Sequence, residues 1–439
     1  MNWNHEFEAR AVTTPEEAVT CVQSGDTVLS GIIEPYFLLK ALARRTDLHD
    51  VHVLNFAPVK GACFEFTKPQ LQANFRVTIA VANPLTVEAV NNGTLDFLPA
   101  DFTNALTLFK THLVPDVMFI QVTPPDANGF CNLGLGADYT RPAVSYMKEQ
   151  GKPVVAEVND YLPSPMGDCR IHVTDIDRFV VVEEELRTDQ KWTEPPPTGP
   201  VIDDMADHLD SMIENGSTIE VGIGRVPGAL ARRMTHKRDL GIHTEVFADA
   251  LFELVKAGAI TGRYKTVLPD QSVATILQGS AEVMEWASNN PFFILRSADF
   301  VLDPAVIAAN HKMVAINSAI QVDLSGQICA ESRGFYQLST TGGQAAVMHG
   351  ASLSPEGKAI IAIESTAGHG KISRIVNALD PGAAVTTVRS DIGYVITEYG
   401  IAAVAGKSLR ERAKALISIA HPDFRDELTA QARARGLKV

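Results

Sequence analysis

The sequence predicts an α/β protein made of two tandem, related open domains with mostly parallel sheets. Three observations carry that expectation. Short β-branched runs alternate with helical patterns, a proline-rich break lies near the middle, and the two halves match each other in collinear segments.

Val117-Met118-Phe119-Ile120-Gln121-Val122 and Ile360-Ile361-Ala362-Ile363 are nearly continuous apolar runs of strand length. That is the pattern of strands buried on both faces. Between such runs lie helical patterns such as Phe37-Leu38-Leu39-Lys40-Ala41-Leu42-Ala43-Arg44-Arg45. Strands alternating with helices point to open, largely parallel sheets. In such sheets ligands bind beyond the carboxyl ends of the strands, so functional residues are sought just after each strand.

The break is Thr193-Glu194-Pro195-Pro196-Pro197-Thr198-Gly199-Pro200. Consecutive prolines fix φ and remove backbone donors, which favours an extended segment. The expected organisation is an N-terminal domain over 1–190, a linker over 191–200 and a C-terminal domain over 201–439.

Gln23-Ser24-Gly25-Asp26-Thr27-Val28 parallels Glu214-Asn215-Gly216-Ser217-Thr218-Ile219, 191 residues later. Val51-His52 parallels Ile242-His243 at the same offset. Asp126-Ala127-Asn128-Gly129 matches Asp323-Leu324-Ser325-Gly326 at 197, and Gly151-Lys152-Pro153-Val154-Val155-Ala156 matches Gly357-Lys358-Ala359-Ile360-Ile361-Ala362 at 206. Asp175-Ile176 matches Asp391-Ile392 at 216. Offsets that grow slowly in one direction are what duplication followed by loop insertion leaves behind.

Composition narrows the function. With 46% apolar and 21% charged residues, the 439-residue chain reads as globular. No run of 18 apolar residues occurs, so no membrane span is expected, and the first residues lack a secretory pattern. Five scattered cysteines without CxxC spacing fit a reducing cytoplasm and supply neither a disulfide framework nor a zinc site. A net charge of −14 argues against a nucleic-acid partner. The densest basic stretch, Arg410, Arg412 and Lys414, follows a capping-box pattern at Ser408–Glu411 and reads as a solvated helix face.

Three strand-end segments of the second half could carry chemistry. In Ile219-Glu220-Val221-Gly222-Ile223-Gly224-Arg225-Val226-Pro227 a strand runs into a glycine-rich turn and a helix with an early proline. Such a turn offers backbone N–H groups to a carboxylate, phosphate or oxyanion, or is simply a tight connection. Pro227 stands where the dinucleotide fingerprint needs its third glycine, which speaks against a nicotinamide enzyme. In Gly241-Ile242-His243-Thr244-Glu245, His243 matches His52, whereas Glu245 faces an apolar counterpart, Leu54. One carboxylate against one leucine marks either a single active site or a surface glutamate, the commoner meaning of a lone Glu. In Thr341-Gly342-Gly343-Gln344 the glycines permit close approach, and the glutamine both donates and accepts, although most such pairs are turns.

Together these segments, with Gly406-Lys407-Ser408-Leu409-Arg410-Glu411-Arg412-Ala413-Lys414-Ala415-Leu416, Pro124-Pro125-Asp126-Ala127-Asn128-Gly129 and Ala420-His421-Pro422-Asp423-Phe424-Arg425, resemble the acetyl-CoA hydrolase/transferase family. Within it the chain is most similar to the 4-hydroxybutyrate CoA-transferases, over nearly its whole length. The resemblance implies two domains of the CoA-transferase type and a covalent intermediate on Glu245. It also implies that Gly222, Ile223, Gly224, Arg225, Val226, Gly342, Gly343 and Gln344 contact CoA or the acyl carbonyl. Acyl-CoA and coenzyme A are expected as substrates, with no permanently bound cofactor and no metal. A homo-oligomer in the cytoplasm is the expected state. Arg225, Lys371 and Arg374 are candidates for the CoA phosphates, against the alternative that they are merely solvated.

Two places depart from the family pattern. Ser30 stands near a position that usually holds histidine, and Ala346 and Val347 follow the glycine–glutamine segment where an acidic residue and an aromatic are common. These changes bear on the acid that is accepted. Arg333, in Glu331-Ser332-Arg333-Gly334, suits a second carboxylate and suggests C4–C5 dicarboxylates beside 4-hydroxybutyrate, butyrate and acetate. The competing readings are an acyl-CoA hydrolase, in which water resolves the intermediate, and a non-catalytic CoA or sugar-phosphate sensor on the same fold.

Overall fold

A computed structural model describes residues 3–185 and 198–439, and of Arg225 the backbone alone. Most of the expected linker, residues 191–197, lies outside the described residues. The chain forms two compact units. The first is Met1–Thr188 with Thr275–Phe300 and Leu338–Gly342, and the second is Asp189–Ala274 with Val301–Gln337 and Gly343–Val439. The chain thus returns twice to its first unit after the proline-rich break.

The first unit is organised by eight strands: β1 (Ala11–Val12), β2 (Thr27–Ser30), β3 (Val51–Leu54), β4 (Phe75–Ile79), β5 (Asp96–Phe97), β6 (Val117–Val122), β7 (Val154–Val158) and β8 (Arg178–Val181). They form one sheet in the order β1-β8-β7-β6-β2-β3-β4-β5, parallel throughout. All six residues of β6 are buried, as its uninterrupted apolar run requires of a strand covered on both faces. Helix α1 (Tyr36–Leu42) buries Leu38, Leu39, Ala41 and Leu42 in a core shared with Val28, Val53, Ile79 and Phe119. Helix α2 (Thr140–Glu149) buries Ala143, Val144 and Met147 on one stripe.

The second unit holds β9 (Thr218–Val221), β10 (Gly241–Ile242), β11 (Met313–Asn317), β12 (Lys358–Ala362), β13 (Tyr394–Thr397) and β14 (Gly400–Ala403). Their order is β10-β9-β11-β12-β13-β14, parallel except for the final hairpin pair. Setting β9 on β2, β10 on β3, β11 on β6, β12 on β7 and β13 on β8 reproduces the order of the first sheet. The duplicated α/β architecture expected from the collinear matches is therefore present, with helices α3 (Arg225–Arg232), α4 (Gln344–Leu353) and α5 (Leu409–Ile419) beside the second sheet.

One detail of the duplication needs correction. His52 donates its backbone N–H to Asp26 O, and Gly241 makes the same bond to Ser217 O. Thr27 pairs with His52, and Thr218 pairs with Gly241. Gly241, not His243, thus occupies the place of His52, and the counterpart of Glu245 is Phe56 instead of Leu54. The connection between the two strands is two residues shorter in the second copy, so a constant offset fails across it. The asymmetry itself survives, since Phe56 is also apolar and buried.

The capping box at Ser408 is formed: Ser408 Oγ accepts the Glu411 N–H and Glu411 Oε2 accepts the Ser408 N–H. Arg410 and Lys414 are exposed as expected, whereas Arg412 turns inward to the carbonyls of Ser325 and Arg389. The five cysteines are free thiols.

Candidate active site

In each unit the strand order reverses at one point, between β2 and β6 and between β9 and β11. Crevices beyond the carboxyl ends of strands at such points are the binding places of open α/β sheets. In the second unit this point is occupied by Glu220 near the end of β9 and Asn317 at the end of β11. The Asn317 amide Nδ2 donates to Glu220 Oε2 at 2.7 Å, and both residues are buried.

The chain leaves β9 through the glycine turn. Gly222 donates its N–H to Ile316 O at 2.9 Å. A Cβ at 222 would overlap the Asn317 carbonyl oxygen, so glycine here lets the amide reach Glu220. Gly224, at φ 154° and ψ 163°, has a backbone that glycine alone adopts readily, and α3 starts immediately after it. Ile223 and Gly224 are exposed and Val226 is half-buried. The Arg225 side chain lies outside the described residues.

Glu245 follows β10 on a segment stitched from both sides. The His243 N–H donates to Ile219 O at 3.1 Å, and the Thr244 N–H donates to Val273 O at 3.0 Å. Beneath it Lys265, buried, donates Nζ to Ile242 O at 2.8 Å and to Gln271 O at 2.6 Å. Burial lowers the Lys265 amine to about 7. Burial, reinforced by the neighbouring Lys265 charge, lowers His243 to about 3. His243 is therefore neutral, and the Val301 carbonyl 2.8 Å from Nε2 assigns the ring hydrogen to that nitrogen. These groups shape the segment that carries Glu245.

Glu245 is half-buried, and its Oε2 accepts the Gly343 N–H at 2.6 Å. Gly343 caps α4, so the carboxylate meets a helix N-terminus, where a negative charge is favoured. Burial nevertheless pushes the carboxyl up to about 7, against the pull of that N–H. Burial, then the charge of Glu245, pushes Glu220 up to about 8, opposed by Asn317. Both carboxyls are thus raised toward neutrality, chiefly by burial.

Sequence reasoning named Glu245 and Gly343, and the structure joins them by a hydrogen bond. Gly342 has a left-handed φ of 56° and bridges to Asp101 in the first unit. The Gln344 amide donates to Thr387 Oγ1 at 3.2 Å in the second. Ser30 is fully buried at the end of β2, where its hydroxyl donates to Asn55 Oδ1 at 3.2 Å and its carbonyl accepts the Tyr139 hydroxyl at 2.8 Å. Asn55 in turn donates to the buried Glu34 carboxyl at 2.8 Å. Arg333 lies exposed on a hairpin pairing Ser332–Arg333 with Tyr336–Gln337. Lys371 is exposed and Arg374 half-buried. Glu220, Asn317 and Lys265 were not anticipated. A lone carboxylate inside the apolar strand Thr218-Ile219-Glu220-Val221 was a readable signal, because buried parallel strands seldom carry charge. Nothing local marks Lys265.

Among the described residues no group of three or more His, Cys, Asp or Glu is placed to hold a metal ion. Among them, too, no helix is long and apolar enough to cross a membrane.

The acetyl-CoA hydrolase/transferase N-terminal domain matches residues 1–188, and the C-terminal domain of the same family matches residues 279–432. The chain is 43% identical over 442 residues to 4-hydroxybutyrate coenzyme A transferase of Clostridium kluyveri, covering 99% of this chain and 100% of that protein. It is similar to the crystal structure of RipA from Yersinia pestis with a TM-score of 0.91 at 32% identity, covering 100% of both chains. With 4-hydroxybutyrate CoA-transferase from Porphyromonas gingivalis the TM-score is 0.82 at 30% identity, covering 99% of this chain and 100% of that one. The chain belongs to the acetyl-CoA hydrolase/transferase family and is a CoA-transferase.

Proposed function

We propose that this CoA-transferase moves coenzyme A between short-chain carboxylic acids by a ping-pong cycle through a glutamyl-CoA thioester on Glu245. The observation that carries the reading is the carboxylate itself, half-buried and held through Oε2 by the Gly343 N–H at 2.6 Å, which leaves Oε1 as the proposed attacking atom. Partial desolvation removes the water that would blunt a carboxylate nucleophile.

In the first half-reaction a Glu245 oxygen forms a bond to the thioester carbonyl, the C–S bond breaks, and CoA leaves as its thiolate. The thiolate attacks the Glu245 Cδ of the mixed anhydride. A C–S bond forms there, the anhydride C–O bond breaks, and the donor acid departs as a carboxylate. An acceptor carboxylate reverses both steps. Charge and atoms balance without a net proton, and the thioester energy is conserved. Backbone N–H groups of the Gly222–Val226 turn are the proposed stabilisers of the tetrahedral oxyanions, each such donor contributing about 3–4 kcal/mol to transition states of this kind.

Trapping tests the intermediate. Incubation with succinyl-CoA followed by borohydride reduction should convert Glu245 to an alcohol, seen by mass spectrometry of its peptide. An unmodified Glu245 in protein shown to bind acyl-CoA removes the nucleophile assignment.

The relatives from C. kluyveri and P. gingivalis support 4-hydroxybutyrate as one acid to assay. For dicarboxylates such as succinate or itaconate we propose Arg333 as the partner of the second carboxylate, by bidentate pairing. Arg333→Ala should then lower kcat/KM for succinate relative to butyrate by about tenfold or more, the scale of one charge-assisted hydrogen bond. Equal losses on both acids sink that assignment.

A further inference from the structure

Two carboxyls share the site, and the cycle above uses one. Glu220 is 2% exposed, accepts the Asn317 amide N–H, and sits at the reversal point of the second sheet. Among the described residues, Glu245 is the charged group whose field reaches it. Among the described side chains, the elements packed on β9 offer no compensating charge to Glu220. From β11 comes the Asn317 amide. Beyond β10 lie neutral His243 and Lys265, the latter occupied by the Ile242 and Gln271 carbonyls. On the helix side, α3 contributes buried Ala229 and Leu230. With Glu220 buried, Glu245 half-buried and no counter-cation among the described side chains, the two cannot both ionise at ordinary cost, because desolvation and like-charge repulsion act in the same direction.

We propose that Glu220 serves the Glu245 reaction as a neutral carboxylic acid, a positioning residue that donates a hydrogen bond within the site and leaves Glu245 as its single negative charge. The inference rests on Glu245 being the nucleophile. Each attack builds a tetrahedral oxyanion beside Glu245, which an uncharged donor supports and a second carboxylate would repel. Glu220 keeps the same proton before and after every step, so the balance of the cycle is unchanged.

Burial pushes both carboxyls up, to about 7 for Glu245 and about 8 for Glu220, and the Glu245 charge acts on Glu220 in addition, so Glu245 is the one to ionise first. Attack needs Glu245 deprotonated, so kcat/KM rises as the pH passes through the lower value. The site needs Glu220 protonated, so kcat/KM falls as the pH passes through the upper one. The result is a narrow bell.

The test is the pH profile of kcat/KM for succinyl-CoA with acetate as acceptor, in the wild type and in Glu220→Gln. The amide keeps a neutral donor and cannot ionise. It should lower activity at neutral pH by less than about tenfold and abolish the alkaline limb. Glu220→Leu, which removes the donor, should lose about 100-fold and also lack that limb. It reads the same limb should the glutamine variant fail to fold. An alkaline limb that persists in the neutral variants, or is missing from the wild type, overturns the proposal. Borohydride labelling separates the two readings. A labelled Glu245 with an unchanged alkaline limb defeats the role of Glu220 alone, whereas no label in either protein removes the nucleophile and this inference with it.

Discussion

Glu245→Ala is expected to lower kcat/KM for acyl-CoA by about 10⁴-fold or more and to eliminate the borohydride-trapped adduct, since a covalent nucleophile has no substitute in the site. The fold should be little disturbed. The side chain is half-buried and, among the described residues, is held by the Gly343 N–H, which then turns to water. Removing Glu245 also removes the cost of desolvating its own carboxylate, so the apo variant should melt at or slightly above the wild-type temperature. Glu245→Asp separates position from chemistry. It keeps a carboxylate but shortens the arm by one methylene and withdraws it from Gly343, and it should retain measurable but much reduced turnover. The decisive readings are steady-state kinetics and peptide mass spectrometry on both variants. Activity of the alanine variant within tenfold of wild type would exclude the covalent cycle.

The second large effect is expected from a single methyl group. Gly343 has φ −94°, a conformation alanine adopts without strain. A Cβ built there would overlap Glu245 Oε2 and lie 2.8 Å from Leu302 Cδ2. Gly343→Ala therefore leaves the helix cap intact and pushes the carboxylate aside. Misplacing a nucleophile by about an ångström costs on the order of 100-fold, and that is the loss expected in kcat/KM. The thermal midpoint should fall only by what the Leu302 contact demands. Single-turnover labelling of Glu245 checks the cause: the rate of adduct formation, not acyl-CoA affinity, should carry the loss. Unchanged kinetics would mean that Gly343 does not fix the attacking geometry.

Much of this arrangement was legible in the chain because it rests on local chemistry. The β6 and β12 runs are apolar enough to be read as doubly covered strands, and the Gly222–Gly224 turn advertises itself by its glycines. The duplication was legible through Gly25 and Gly216, both of which adopt positive φ in equivalent turns. The His52–His243 match misled because it spanned a connection that had lost two residues, and identity of residue type says nothing about hydrogen-bond register. The contact between Glu245 and Gly343 joins residues 98 positions apart. It arises from the order of strands in the sheet, which no local pattern encodes. Lys265 escaped for a related reason: in Arg263-Tyr264-Lys265 it looks like surface, and only the fold shows its amine turned onto two carbonyls. The return of residues 275–300 and 338–342 to the first unit was equally invisible.

That return has a consequence for the birth of the protein. Ile294 and Leu295 pair with Met166 and Gly167, and Arg296 binds Asp168 at 2.6 Å. A nascent chain that has just passed the proline-rich segment has made all eight strands of its first sheet, yet the partner of Met166–Gly167 is still about a hundred codons away. Synthesis at roughly 5–20 residues per second leaves this half waiting for seconds with an unpaired edge at Met166–Gly167. Completion of the N-terminal half is therefore tied to translation of the C-terminal one, and translational pausing within that interval prolongs the stage at which a chaperone has an exposed edge to hold.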